Sequence, residues 1–174
     1  MMEVAMYHDT IFIPGWQNKQ EKLTAFEEGW RSRPYLCSEG YPTIGFGFRI
    51  GPQGASLDNY QFTLPRAVGE VWLSSILESV ASEMASHPQI SPALLSCNDA
   101  RQAVLLSMAY QMGVSKLVQF EKTLSAIEDG RWTDAKNEVL DSKWASQTPK
   151  RASRHAEQIL TGTWFSGYGI RKSR

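Results

Sequence analysis

Three features of the sequence predict an α+β fold that is mainly α-helical. Residues 63–86 form a long run with apolar side chains at helical spacing. Residues 99–112 are apolar on most sides, the mark of a buried helix. Between helical runs, residues 35–44 read as a β-hairpin: Tyr35, Leu36 and Cys37 extend, Ser38-Glu39-Gly40 turns, and Tyr41 to Ile44 return. At 174 residues the chain fits one domain, or two small lobes that share a core.

The elements follow in order. Residues 1–17 form an N-terminal extension. In it, Thr10-Ile11-Phe12-Ile13-Pro14-Gly15-Trp16 is apolar with a turn at Pro14-Gly15. It suits either an edge strand packed on the body or a docking arm for a partner. A short amphipathic helix runs from about Asn18 to Glu28, with Leu23 and Phe26 on one face. Gly29 can adopt the positive φ that stops a helix. The hairpin lobe then occupies the rest of 18–62, closing with a Gly/Pro-rich loop at 51–56. Gly45-Phe46-Gly47 lets the backbone approach another group closely.

Thr63 caps the long helix with Pro65 in its first turn. Val68, Val71, Trp72, Leu73, Ile76, Leu77, Val80 and Met84 supply its apolar side chains. The segment 63–87 holds a helix of about 22 residues, about 33 Å long at ~1.5 Å per residue. Residues 88–174 form a helical lobe. Asn98 or Asp99 caps a buried helix that Gly113 ends. Shorter helices follow at about Lys122–Asp129, Thr133–Leu140 and Ser142–Ser146. A last one opens at Thr148-Pro149 and closes at Gly162.

Composition is that of an ordinary folded protein, 42% hydrophobic and 21% charged. Net charge is zero, yet residues 1–100 carry 6 basic and 11 acidic side chains, and the remainder 12 and 7. The basic C-terminal end suits an anionic polymer, or is a solvated helix face. The two cysteines, Cys37 and Cys97, are expected to be free thiols. No apolar run is long enough for a transmembrane helix, and the N-terminus lacks the basic region of a signal peptide. The three histidines lie in unrelated segments, and no metal-binding or phosphate-binding motif occurs. No metal, cofactor or nucleic-acid partner is therefore expected.

Glu28 is the first candidate for chemistry. It ends a helix, where the dipole opposes negative charge, and Phe26 and Trp30 desolvate it. Both effects favour the protonated carboxyl that a general acid needs.

The frame around Glu28 resembles that of the phage-type lysozymes, the endolysin muramidases. Glu28, Gly29, Tyr35, Gly40, Thr43, Gly45 and Gly47 all fall in the family's spacing. So do Tyr110-Gln111-Met112-Gly113 downstream, and then Trp144 with Gln147-Thr148-Pro149-Lys150-Arg151-Ala152 and Thr161-Gly162-Thr163-Trp164. The three blocks are in order and cover roughly residues 20–168. Two positions depart from the frame: Cys37 stands where the family has Asp, and Phe48 where it has His.

The resemblance implies a two-lobed lysozyme-like domain over 18–170, with the long helix bridging the lobes. It implies hydrolysis of the β-1,4 bond between N-acetylmuramic acid and N-acetylglucosamine in peptidoglycan. Glu28 would be the acid, and Arg151 would pair with it and orient it, which favours the ionised form. Thr43 would hold the attacking water. Tyr110, Gln111, Thr123, Glu138 and Arg49 would line the saccharide cleft. The role implied is lysis of a bacterial host by a monomeric enzyme held in the host cytoplasm and released through a holin pore.

Cys37 leaves the chemistry open. Its thiolate could act as base, stabilise a cationic transition state, or attack the anomeric carbon; Arg31 and Arg33 are candidate neighbours to lower its pKa. It could equally be a spectator, with Glu39 as replacement carboxylate. Two other enzyme-level readings stay open, a lytic transglycosylase working with a single Glu and a virion-borne lysozyme. A wall-binding or virion protein that kept the fold without catalysis is the non-enzymatic reading.

Overall fold

The computed structural model describes residues 10–171. Residues 1–9 of the expected N-terminal extension, and residues 172–174 of the basic C-terminal end, lie outside it. The first helix, α1 (Trp16–Glu28), leads into a three-stranded antiparallel sheet: β1 (Arg31–Leu36), β2 (Pro42–Gly45) and β3 (Phe48–Arg49). The long α2 (Arg66–Ser86) then enters a helical body made of α3 (Ser91–Leu95), α4 (Asp99–Met112), α5 (Val114–Leu117), α6 (Glu121–Glu128), α7 (Trp132–Leu140), α8 (Lys143–Gln147) and α9 (Pro149–Thr161). The α+β, mainly helical class read from the sequence is the class observed.

Helix α4 is the centre of the body. Val104, Leu105, Leu106 and Met108 are fully buried, as its near-continuous apolar sequence requires. Asn98 caps it by accepting a hydrogen bond from the Arg101 amide at 3.0 Å. Helix α1 lies against it, with Leu23 buried and the Gln20 amide donating to the Ala103 carbonyl. Helix α9 packs on α4 and α7 through Ala152, His155, Ala156 and Ile159, and Gly162 ends it in the left-handed conformation.

Several details differ from the sequence reading. Residues 10–15 form turns, not a strand, and are anchored to the body. Phe12 and Trp16 are buried with ring centroids 5.1 Å apart, and the Gln102 side chain bonds both Ile11 and Ile13. The body thus begins before residue 18. The hairpin gains a third strand, because Gly45 and Gly47, at φ +68° and +79°, reverse the chain within two residues.

Thr63 does not cap α2; Pro65 stands at the N-cap, with no side-chain hydrogen bond. Val68 and Val71 are exposed, and Trp72 is on the surface with its ring 4.5 Å from that of Phe48. The buried stripe of α2 is instead Gly69, Leu73, Leu77, Ala81, Met84 and Ala85. Gly69 sets that stripe: the Trp30 indole lies on its backbone, at 2.4 Å from where a Cβ would stand. The α2 helix is thereby rotated to meet Trp30, and Val68 and Val71 face away.

This contact joins the sheet to the bridging helix and yields a prediction. Gly69→Ala should destabilise the fold by about 1–3 kcal/mol through overpacking, although Ala favours helix by about 1 kcal/mol. Urea denaturation followed by Trp fluorescence measures the midpoint shift. A rise in stability would show that Trp30 moves aside freely.

Candidate active site

The last two residues of α1 are both glutamates, and each meets its own arginine from α9. Arg151 Nη1 donates to Glu28 Oε1 at 2.8 Å. Arg154 binds Glu27 with both arms of its guanidinium, Nε to Oε1 at 2.9 Å and Nη2 to Oε2 at 2.7 Å. The spacing explains the pairing. Arg151 and Arg154 are three residues apart on a helix, so they lie one turn apart on one side, and they face consecutive residues at the end of α1. Gly29 stops α1 there, its amide returning to the Ala25 carbonyl at 3.0 Å.

The two pairs differ in their surroundings. The Glu27 side chain is 2% exposed and also accepts the Tyr168 hydroxyl at 2.7 Å. Every contact on it is internal, so its role is to hold α1, α9 and the C-terminal turn together. Glu28 is 18% exposed. Arg151 holds Oε1, while Oε2 faces Gly47, where a Cβ would stand only 2.8 Å away. Among the described residues no hydrogen bond reaches Oε2. One oxygen is therefore fixed and the other is open toward the turn between β2 and β3.

That turn is itself held in place. The Tyr110 hydroxyl, from the end of α4, donates to the Phe46 carbonyl at 2.7 Å. Burial, and then the Glu28 charge, push the Tyr110 phenol well above its ordinary value, so it stays a donor. Tyr110 was expected to offer its ring to sugar faces. Its hydroxyl has a separate duty, joining the helical body to the sheet beside Glu28.

One face of the sheet carries the other candidates. Tyr35 pairs with Thr43, Thr43 with Arg49, and the Cys37 amide with the Tyr41 carbonyl. Residues opposite one another across strands, and two apart along one, share a face. Tyr35, Cys37, Tyr41, Thr43 and Arg49 therefore lie together, and Ile44 and Phe48 point to the core. Tyr35 links this face to the acid. Burial first, then the charge of Glu28, raise its phenol, and Cys37 adds to the same effect.

Cys37 is a partly exposed free thiol. Burial opposes its ionisation. Hydrogen bonds from the backbone at Tyr41 and Glu39, the Thr43 hydroxyl and the Arg49 charge outweigh that and hold the thiol below its ordinary value. The cation is thus Arg49, not Arg31 or Arg33; Arg31 stacks on Tyr35, 4.7 Å from the ring centroid. Glu39, the alternative carboxylate, is tied to Arg49 in an exposed ion pair. Thr43 is 2% exposed and donates to the Tyr41 carbonyl at 2.8 Å. Its single proton can go to that carbonyl or to the Cys37 sulfur, and a thiolate would draw it to sulfur.

The remaining candidates sit further along the body. Gln111 accepts the Trp144 indole N–H at 2.9 Å. Trp144 in turn borders an open cleft of about 730 Å³ that also reaches Met112, Lys122, Thr123 and Glu138. Glu138 stands on the wall of this cleft. Thr123 also borders this cleft, though only 2% of the residue is exposed. Arg49 is exposed at the other end, stacked 4.0 Å from the Tyr41 ring centroid.

Five site-shaping residues escaped the sequence reading: Glu27, Ser107, Arg154, His155 and Tyr168. Ser107 receives Arg151 Nη2 twice, at the carbonyl (3.2 Å) and the hydroxyl (2.8 Å). Glu27 and Arg154 carried a usable signal, since an adjacent Glu-Glu pair matches an i, i+3 Arg pair. Ser107 and His155 carried none, being polar residues lost in apolar helix faces. Among the described residues no group of three or more metal-ligating side chains occurs.

Comparison with known proteins follows the same lines. Residues 25–155 match the family model for phage lysozyme. The chain is 32% identical over 160 residues to the pre-baseplate central spike protein Gp5 of Enterobacteria phage T4, covering 83% of this chain and 28% of that protein. It is 28% identical to the probable T4-type lysozyme 1 of Dictyostelium discoideum, over 81% of this chain and 93% of that one. A peptidoglycan hydrolase, gp36 of Pseudomonas phage phiKMV, is 29% identical over 82% of this chain and 15% of its own length. The family model spans both the Glu28 end of α1 and the Arg151 end of α9, and this chain belongs to the phage lysozyme family.

Proposed function

We propose that this chain hydrolyses peptidoglycan at the β-1,4 bond between N-acetylmuramic acid and N-acetylglucosamine. The observation that carries the reading is the divided role of the Glu28 carboxyl, with Oε1 held by Arg151 and Oε2 open toward Gly47. A carboxyl held at one oxygen presents its proton on the other. That proton passes to the glycosidic oxygen as the bond to the anomeric carbon breaks. Thr43 and Cys37 act on the opposite face of the sugar. The Cys37 thiolate takes a proton from water, whose oxygen attacks the anomeric carbon, and Thr43 orients that water. The cycle ends with Glu28 ionised and Cys37 protonated, and exchange with solvent resets both.

The cleft beyond Gln111 and Trp144, with Glu138 on its wall, extends the binding surface for the polymer. In this reading the protein is a monomeric phage endolysin. It accumulates in the host cytoplasm, reaches the wall through a holin pore and lyses the cell. The likeness to a phage spike protein favours one other role for the same chemistry, local drilling of the wall by a virion-borne lysozyme. Presence of the protein in purified particles separates the two.

The bond cleaved is read from the products. Mass spectrometry of digested peptidoglycan should give muropeptides with reducing ends, and Glu28→Gln should abolish them. Anhydro-muramic products would assign a transglycosylase. No products from a folded sample would leave a wall-binding protein.

The role of Cys37 has its own test. Its alkylation rate should rise with pH to a midpoint below that of an ordinary thiol. Cys97 is buried and pushed up to about 12, so it stays silent in that range. Thr43→Val and Arg49→Gln should each move the midpoint up, since each removes a group that favours the thiolate. Cys37→Ser should lower kcat by about 10²–10⁴-fold, the usual range for a lost base, and Cys37→Asp should restore much of it. Full activity in Cys37→Ser would make the thiol a spectator.

A further inference from the structure

Behind the Arg151–Glu28 pair lies a fully buried histidine that the chemistry above does not use. His155 Nε2 is 2.7 Å from the Ser107 hydroxyl, and Nδ1 is 3.4 Å from the Tyr168 hydroxyl. Ser107 contacts Arg151, and Tyr168 contacts Glu27. The imidazole therefore stands between the two arginine–glutamate pairs.

The direction of every hydrogen bond in this chain is fixed by its ends. Arg151 can only donate, so the Ser107 oxygen accepts from Nη2. The Ser107 proton then goes to His155 Nε2, which must be unprotonated. The ring proton consequently sits on Nδ1 and points to Tyr168. Tyr168 accepts it and donates its own proton to Glu27, which as a carboxylate can only accept. A single neutral tautomer satisfies all five groups.

We propose that His155 is a positioning residue of the site: as the Nδ1–H neutral tautomer it keeps the Ser107 hydroxyl turned to receive Arg151, and so holds Arg151 on Glu28. Placing a second proton on the ring from solvent reverses one bond. Nε2–H would then point at a Ser107 oxygen already receiving Arg151, and the Ser107 proton would lose its acceptor. The new cation would also face Arg151 and Arg154, both on its own helix. Every other neighbour is neutral or remote: Ser107 from α4, the Trp144 ring of α8 at 5.9 Å, Tyr168 from the C-terminal turn, and Glu27 of α1 beyond Tyr168. Burial, and then the two arginine charges, hold the ring neutral well below the usual range. Acid therefore weakens the Glu28 clamp by this route only after His155 takes its proton.

This positioning role rests on Glu28 being the acid, but the tautomer does not, so the two are tested separately. Nitrogen-15 NMR of histidine-labelled protein at pH 7 should show His155 with a bare Nε2 and a protonated Nδ1, and Ser107→Ala should shift the Nε2 signal. Protonation at Nε2 would overturn the proposal whether or not the protein degrades peptidoglycan. Kinetics then test the consequence. His155→Phe leaves the Ser107 proton without its acceptor and should lower kcat at least tenfold with KM within about twofold, the pattern of a displaced catalytic group. His155→Gln keeps an acceptor and cannot be protonated at neutral pH. It should retain kcat within about threefold. Should His155→Phe fold poorly, Ser107→Ala supplies the same kcat loss from the other side. Equal kcat in wild type, His155→Phe and Ser107→Ala would overturn the role.

Discussion

The ion pair between Arg151 and Glu28 is the constraint on which the site depends. It joins the first described helix to the last across 123 positions of sequence, with both side chains largely out of water. A buried pair of this kind adds little net stability, because the desolvation cost offsets the attraction. Breaking one partner is a different matter, since the other charge is then left buried and alone. The arginine is incompletely satisfied even so: its Nε is buried without a hydrogen-bond partner. The arrangement is better understood as fixing a geometry than as strengthening a fold. The neighbouring Glu27–Arg154 pair carries the structural duty, leaving Glu28 with one oxygen to spare.

Around that pair, three contacts bring the sheet to the acid. Tyr110 fixes the Gly45–Gly47 turn through the Phe46 carbonyl, Gly47 lets Glu28 approach, and Trp30 lies on Gly69 of the bridging helix. Each needs either a buried hydroxyl or a missing side chain. The glycines of the hairpin therefore serve two purposes, turning the chain and clearing room for a carboxylate. The sheet face that results carries Cys37 and Thr43, with Arg49 beside them and Tyr35 between the thiol and Glu28.

Much of this could be read in the residue order. The buried helix α4 followed from its continuous apolar sequence, Glu28 at a helix end from Gly29, and the hairpin turn from Ser38-Glu39-Gly40. The orientation of α2 could not be read, since it has more apolar residues than one face can bury, and only the Trp30–Gly69 contact decides which face is used. The partner of Cys37 was misassigned because Arg31 and Arg33 are near in sequence, while Arg49 arrives through a third strand too short to show a pattern. Nothing in the sequence signals that the Tyr110 hydroxyl reaches the Phe46 carbonyl.

The central claim is that the free oxygen of Glu28 supplies a proton to the departing sugar, and leaving-group chemistry tests it most directly. Glu28→Gln should be nearly inactive on a chitooligosaccharide or muropeptide whose leaving group is a sugar. On the matching 2,4-dinitrophenyl glycoside, whose leaving group needs no proton, the same variant should recover most of the wild-type kcat. Equal loss on both substrates, with the fold intact, would contradict the assignment and place Glu28 in binding or charge stabilisation instead.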